Sequence, residues 1–573
     1  MNRSLSQFLI VTLFLAVSSL AKADVKLPPI FSDHMVIQSD VPVHVWGWAE
    51  PGEKVTVKLA AKEAAVTTGT DGKWRLQLEP LASGTGTLTM NVEGKNKLTV
   101  SDVLVGEVWL CSGQSNMEFG VGAASREKIE LKDEPQIRLF TVPRNIQPFP
   151  SYGEMSTTSD DPPLTGKWQV ATVDNVLNNG RWKGFSAVGY YFGLRIHNAT
   201  NKPVGMISSV WGGTPATPWM SLEGLQTEPK LKGAADSVPK YRENYEQNKV
   251  LYATEMEKWK ADVAEWEKKV GFPLNMYAYN VKQWGKQAKE LEAEGKPVPP
   301  RPEQPPREPR DMANNNQTST VLYNGMISPL VPYGIKGVLW YQGESNAGEP
   351  MKYLATLPAL INDWRAKWGQ GDFPFLVVQL PNYKPQAEDT TWAIMREAQK
   401  LATRSVPNTG MAVTIDIGID RDIHPWDKYD VAERLALIAL KQVYGQSDLI
   451  ASGPTFKNQT IEGSKIRLNF DNIAGGLIIG NPPDHFYHSI RQKLPTEKPA
   501  ELKGFVISGS DNKFVPAKAV IEGKDTVVVS ADEVPNPVAV RYAWSDSPVC
   551  NLYNDAGLPA EPFRTDTLSL GDR

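Results

Sequence analysis

Val103-Leu104-Val105-Gly106-Glu107-Val108-Trp109-Leu110-Cys111-Ser112-Gly113-Gln114-Ser115-Asn116-Met117 is the stretch that decides the reading of this chain. Its first half is a near-continuous apolar run, broken at Gly106 and Glu107, as expected of a strand buried on both faces. It then turns through Ser-Gly-Gln-Ser-Asn into helix-compatible residues. A strand that ends in a polar, glycine-containing turn before a helix belongs to an open α/β sheet. Ligands of such sheets bind beyond the carboxyl ends of the strands. A serine there sits at a helix start, where backbone N–H groups face whatever approaches. Ser115 is therefore a nucleophile or a plain helix cap, and the stretch alone supports both.

Outward from that point the α/β texture continues. Strands are predicted at 204–210, 337–341, 375–380 and 411–417, and helices at 185–197, 353–368 and 429–444. Alternating strands and helices predict a doubly wound parallel sheet. With 573 residues, the chain is too long for one core. Residues 24–99 alternate at period two (Val43, Val45; Val55, Val57, Leu59; Trp74, Leu76, Leu78; Leu88, Met90, Val92), the pattern of a small antiparallel sandwich. β texture returns after about residue 446, predicting a second sandwich-like domain.

Between 229 and 316 the α/β pattern is interrupted. Tyr245, Tyr252, Met256, Trp259, Val263, Trp266 and Val270 recur at alternating steps of four and three. Tyr277, Val281, Trp284, Ala288 and Leu291 resume the rhythm after a Gly271-Phe272-Pro273 break. Two antiparallel helices with an aromatic seam account for this, and the Pro-rich stretch 297–309 reads as an extended linker.

A short basic start, an apolar run at 8–20 and Ala21-Lys22-Ala23 read as a signal peptide over 1–23. The mature chain is then expected in the periplasm or outside the cell, with no membrane attachment. A net charge of −4 gives no electrostatic case for a nucleic-acid partner. Cys111 and Cys550 are the only cysteines; an oxidising compartment would permit a bridge between them. No ligand cluster for zinc or calcium is present in the sequence pattern, so no metal or cofactor is expected.

A serine hydroxyl needs a base. The best-placed of the six histidines is His424 in Ile419-Asp420-Arg421-Asp422-Ile423-His424-Pro425, between a predicted strand and a predicted helix. Asp422 is the first choice to orient the imidazole, with Asp420 and Asp416 as competitors. His34, His44 and His197 sit in β or helix contexts outside any Asp-x-His pattern, and Asp484/His485 is a rival pair in the C-terminal β region. Val338-Leu339-Trp340-Tyr341-Gln342-Gly343-Glu344-Ser345-Asn346 adds another strand end. Gln342 or Asn346 could offer an amide to an oxyanion, and Glu344 could orient neighbours or meet sugar hydroxyls. Trp211-Gly212-Gly213-Thr214 adds glycine N–H groups free of a Cβ. Four such turns after four strands make a nucleophile–base–oxyanion constellation.

These motifs, in this order, resemble the sialate O-acetylesterase family of the SGNH (GDSL-like) hydrolases. Leu322-Tyr323-Asn324-Gly325-Met326-Ile327 and Asn551-Leu552-Tyr553-Asn554 extend the resemblance. It implies a three-layer α/β/α SGNH-type catalytic domain (101–228 and 317–446). A helical-hairpin insertion (229–316) would interrupt it, and β-sandwich-like domains (24–100 and 447–573) would flank it. It implies a Ser115–His424–Asp422 triad acting on acetylated sugars without a cofactor. The oxyanion donors would be Ser115 N–H, a glycine N–H (Gly213 or Gly212) and a side-chain amide. Two departures matter: the wider superfamily has Asp-x-x-His where this chain has Asp-x-His, and Gly-x-Asn where it has Gln342-Gly343-Glu344. Acetylated xylan or another plant polysaccharide is an alternative substrate. A non-catalytic glycan-binding protein is the rival from another class.

Overall fold

In a computed structural model of the chain, residues 24–84, 86–124, 129–158, 161–384, 390–481 and 501–569 are described. The expected signal peptide and the Asp484/His485 pair lie outside them.

The central sheet contains β1 (Lys97–Gly113), β2 (Glu134–Thr141), β3 (Trp168–Ala171), β4 (Val204–Val210), β5 (Gly337–Tyr341), β6 (Phe375–Val378) and β7 (Thr409–Ala412). Their spatial order is β7-β6-β5-β1-β4-β2-β3, parallel throughout except for the β2–β3 pair. Around it lie α1 (Ser115–Glu118), α2 (Ala187–Thr200), α3 (Lys232–Val270), α4 (Tyr277–Ala293), α5 (Pro350–Trp368), α6 (Thr391–Arg404) and α7 (Lys428–Gln442). Alternate strand residues go to opposite cores, as the period of a strand requires. Val108, Leu110, Val338 and Trp340 pack with α5 and α6, whereas Trp109, Cys111, Leu339 and Tyr341 pack with α2 and α7. The result is the expected α/β/α sandwich. Because β4 and β5 flank β1 on opposite sides, Val210, Gly113 and Tyr341 end level with one another. That is the topological switch point of the sheet.

Three local expectations are revised. No chain break separates the N-terminal sheets from the α/β unit at residue 100. β1 pairs with Leu88–Glu93 and then with Val36–Gln38, and goes on to pair with β4 as one 17-residue strand. The buried residues of the N-terminal sheets and of one face of the central sheet form a single core. The strand expected at 411–417 stops at Ala412, because Ile415 leaves the sheet to enter the C-terminal core. The Pro-rich stretch is not a free linker: Trp259 and Trp284 donate their indole N–H groups to the carbonyls of Pro306 and Pro299 (3.1 and 2.8 Å).

α3 and α4 form the expected hairpin, with Trp266 edge-on to Phe272 and Tyr277. The C-terminal region folds into two four-stranded antiparallel sheets and a two-stranded one around their own core. Cys550 is buried there and Cys111 in the central sheet; both are free thiols, so the bridge left open by the sequence does not form.

Candidate active site

The nucleophile turn begins where β1 and β5 come closest. Gly113 has φ +134°, and a Cβ there would lie 2.2 Å from the Tyr341 carbonyl oxygen, so only glycine fits. Gln114 then donates its N–H to that same carbonyl (3.1 Å), and Ser115 opens the short α1. Ser115 caps nothing with its side chain. Its Oγ lies 2.9 Å from Nε2 of His424, 309 residues away in sequence.

His424 comes from the long loop after β7. Burial and the nearby Lys428 cation lower its pKa below the ordinary 6.5, and Asp422 pulls it partly back. The imidazole is therefore neutral at neutral pH, able to accept the Ser115 proton. Asp422 accepts the His424 backbone N–H through Oδ1 (2.9 Å) and lies 3.8 Å from Nδ1. It shapes the Asp-x-His turn and acts on the ring through charge, at a distance beyond a hydrogen bond. Asp416 is held by both Arg434 nitrogens (2.5 and 2.7 Å) and by the Tyr553 hydroxyl, which removes it as a competitor. Asp420 is buried beside Arg421, 3.9 Å away. His34 does have an acid, Asp102 at 2.6 Å, but Asp102 lies in the amino-terminal half of β1, away from Ser115.

The oxyanion candidates sort by whether their donors are free. Gly212 N–H donates to Glu118 Oε2 (2.9 Å), so it is spent. Gly213 follows with φ +73°, exposed, with open space where a Cβ would stand. Among the described residues no acceptor takes its N–H. The Gln342 amide nitrogen, fully buried, faces Gln114 Oε1 (3.2 Å), the Thr214 carbonyl (3.2 Å) and Asn346 Oδ1 (2.8 Å). Its donors tie three strand-end turns together rather than face a substrate. Asn346 Oδ1 also accepts from Ala216 N (3.0 Å), which leaves its own Nδ2 as the amide donor of the pair. Glu344 accepts the Asn116 amide at 2.5 Å, and burial raises its pKa. Its Oε1 is turned onto a protein partner in the nucleophile turn.

Several site residues carry no signal in the sequence reading. Trp182 packs edge-on against the His424 ring at 4.6 Å and Phe119 stacks beyond at 6.5 Å, flanking the imidazole. Arg144 pairs with Glu118 and lies over Trp211 at 4.8 Å, bracing the Gly212 turn. Trp426, two residues past His424, is 41% exposed. Asn116 was printed in the motif itself, and Lys428 lies four residues past His424. What marks them is their bonding, which only the folded chain displays.

Residues 312–432 match the family model described as carbohydrate esterase, sialic acid-specific acetylesterase. That span carries the Gln342 turn and the His424 loop. Sialate O-acetylesterase of Mus musculus is 30% identical over 97% of both chains, and that of Homo sapiens 28% over 93% of this chain and 91% of its own. A crystal structure of a carbohydrate acetylesterase from Xanthomonas citri superposes with a TM-score of 0.71. It is 32% identical and covers 95% of this chain and all of its own. A serine placed against a neutral histidine at the switch point of an α/β/α sheet, in a chain so similar to these relatives along its length, belongs to the sialate O-acetylesterase family of serine carboxylic-ester hydrolases.

Proposed function

We propose that this chain is exported and removes O-acetyl groups from sialic acid, the 9-O-acetyl ester foremost, through an acetyl-enzyme on Ser115. The observation that carries the reading is the 2.9 Å approach of Ser115 Oγ to a neutral His424 Nε2. As Oγ attacks the acetyl carbonyl, its proton passes to Nε2, and the oxyanion is met by the Ser115 and Gly213 N–H groups and the Asn346 amide. The imidazolium then protonates the leaving sugar oxygen, and the acetyl group stays on Oγ. Water repeats the cycle with His424 as base, releasing acetate and restoring the serine. Asp422 stabilises the transient imidazolium through its charge.

The test is hydrolysis of a chromogenic acetate ester by the mature protein beside Ser115→Ala, followed by 9-O-acetylated sialic acid against acetylated xylan. Activity lost in Ser115→Ala, with sialate preferred, is the expected result. Xylan preferred would move the substrate to plant polysaccharide. Two inactive but folded proteins would defeat the acyl-enzyme reading.

A further inference from the structure

Behind the Ser115–His424 pair lies a second set of polar groups that the acyl-transfer steps do not use. Lys428, at the start of α7, is completely buried, and its Nζ donates to Asn116 Oδ1 at 2.6 Å. Asn116 is the residue after the nucleophile. Its Nδ2 donates both to Glu344 Oε1 (2.5 Å) and to the carbonyl of Ile423 (2.9 Å), the residue before the base. One side chain thus joins the nucleophile turn, the β5 turn and the base loop, and one cation orients that side chain. The ammonium also lies over the rings of Phe119 and Tyr341, at 5.0 and 5.2 Å. Phe119 in turn stacks toward His424.

We propose that Lys428 and Asn116 are a positioning couple for the esterase reaction: Asn116 holds the Ser115 turn, the Glu344 turn and the His424 loop in register, and Lys428 orients Asn116 and keeps a positive charge behind the Ser115–His424 pair. The proposal rests on the esterase reading of the site. A buried ammonium left without compensation is costly, and here it is compensated by one amide oxygen, two ring faces and the nearby Glu344 carboxyl. The charged groups acting on His424 are Lys428, which lowers its pKa, and Asp422, which raises it. Those acting on Lys428 are Glu344, Asp427 and Asp422; burial outweighs them and brings its pKa down to about 7. Over the acid range where His424 titrates, below 6.5, Lys428 therefore still carries its proton.

The experiment is the pH dependence of kcat/KM on a chromogenic acetate ester for the full mature protein, Lys428→Met and Lys428→Arg. Lys428→Met should lower kcat about tenfold or more with KM within about threefold, and its acid limb should move to higher pH. Lys428→Arg, which keeps a cation, should hold the wild-type limb even where kcat falls. A purely structural lysine would cost activity without moving the limb. Should Lys428→Met not fold, Lys428→Gln removes the charge while keeping a donor for Asn116, and the same shift is expected. A folded neutral variant whose acid limb stays at the wild-type pH overturns the proposal and leaves the esterase reading intact. An inactive wild type overturns both.

Discussion

The carboxyl edge of the central sheet and the α3–α4 hairpin both draw residues from distant parts of the chain, yet they are held in different ways. At the sheet edge, polar side chains do the joining. Gln342 bridges the β1, β4 and β5 turns, Asn116 joins the β1 and β5 turns to the base loop, and Gly113 lets two strands approach within a distance no Cβ permits. In the hairpin only Val263, Trp266 and Ala288 are buried beyond the first turns of α3, and most other side chains are in water. The edge is specified by directional bonds among buried groups, each costly to leave unmade. The hairpin is specified by a few aromatic contacts and tolerates change around them. Precision is concentrated where atoms must meet within a few tenths of an ångström.

That contrast can be broken or sharpened by mutation. Ser115→Ala should have the largest effect, a loss of about 10⁶ in kcat with an unchanged melting temperature, since among the described residues its Oγ bonds only His424. An unstable Ser115→Ala would show that the serine supports the fold. Asp422→Asn should cost about tenfold, far less than the roughly 10⁴ seen when an acid bonds the imidazole directly. The substituted amide can still accept the His424 N–H, and the missing negative charge should move the acid limb of kcat/KM to lower pH, opposite to Lys428→Met. A loss near 10⁴ would mean that Asp422 closes on Nδ1 during turnover.

Trp266→Ala should destabilise the hairpin locally by about 3–5 kcal/mol. Limited proteolysis should then cut between 232 and 310 while hydrolysis of a small ester changes less than about twofold. Equal loss of both would show that the hairpin and the sheet edge are one cooperative unit. The smallest effect is expected for Trp426→Ala, a rise in KM of a few fold for sugar esters and none for the chromogenic ester, because the ring is 41% exposed and stacking on it needs a pyranose face. Equal effects on both substrates would place Trp426 in the acyl pocket.

The histidine base illustrates how far spacing reaches. Asp-x-His marked the loop, and His424 is where that pattern put it. The same pattern suggested a hydrogen-bonded Asp422, whereas in the fold its Oδ1 is turned onto the backbone of the residue it was expected to orient. Asp416 stood as a competitor to Asp422 until α7 brought Arg434 against it. Gln342 and Asn346 were both candidates for the oxyanion amide by motif, and in the fold the Gln342 amide nitrogen is buried against Gln114, Thr214 and Asn346. Glu344 likewise turned inward, onto Asn116.

By itself the sequence determined five of the seven central strands, the helices α2, α5 and α7 and the turns that carry the site, but not β2, β3 or α6. Hydrophobic period and glycine placement are local properties, and each strand end announces its own chemistry. Only the tertiary structure decided which donors at those turns remain free, which acid faces the base, and that a lysine stands behind it. Those outcomes depend on partners from other parts of the chain. Gln342 meets Gln114 across 228 residues and Lys428 meets Asn116 across 312, distances over which no local pattern constrains a hydrogen bond.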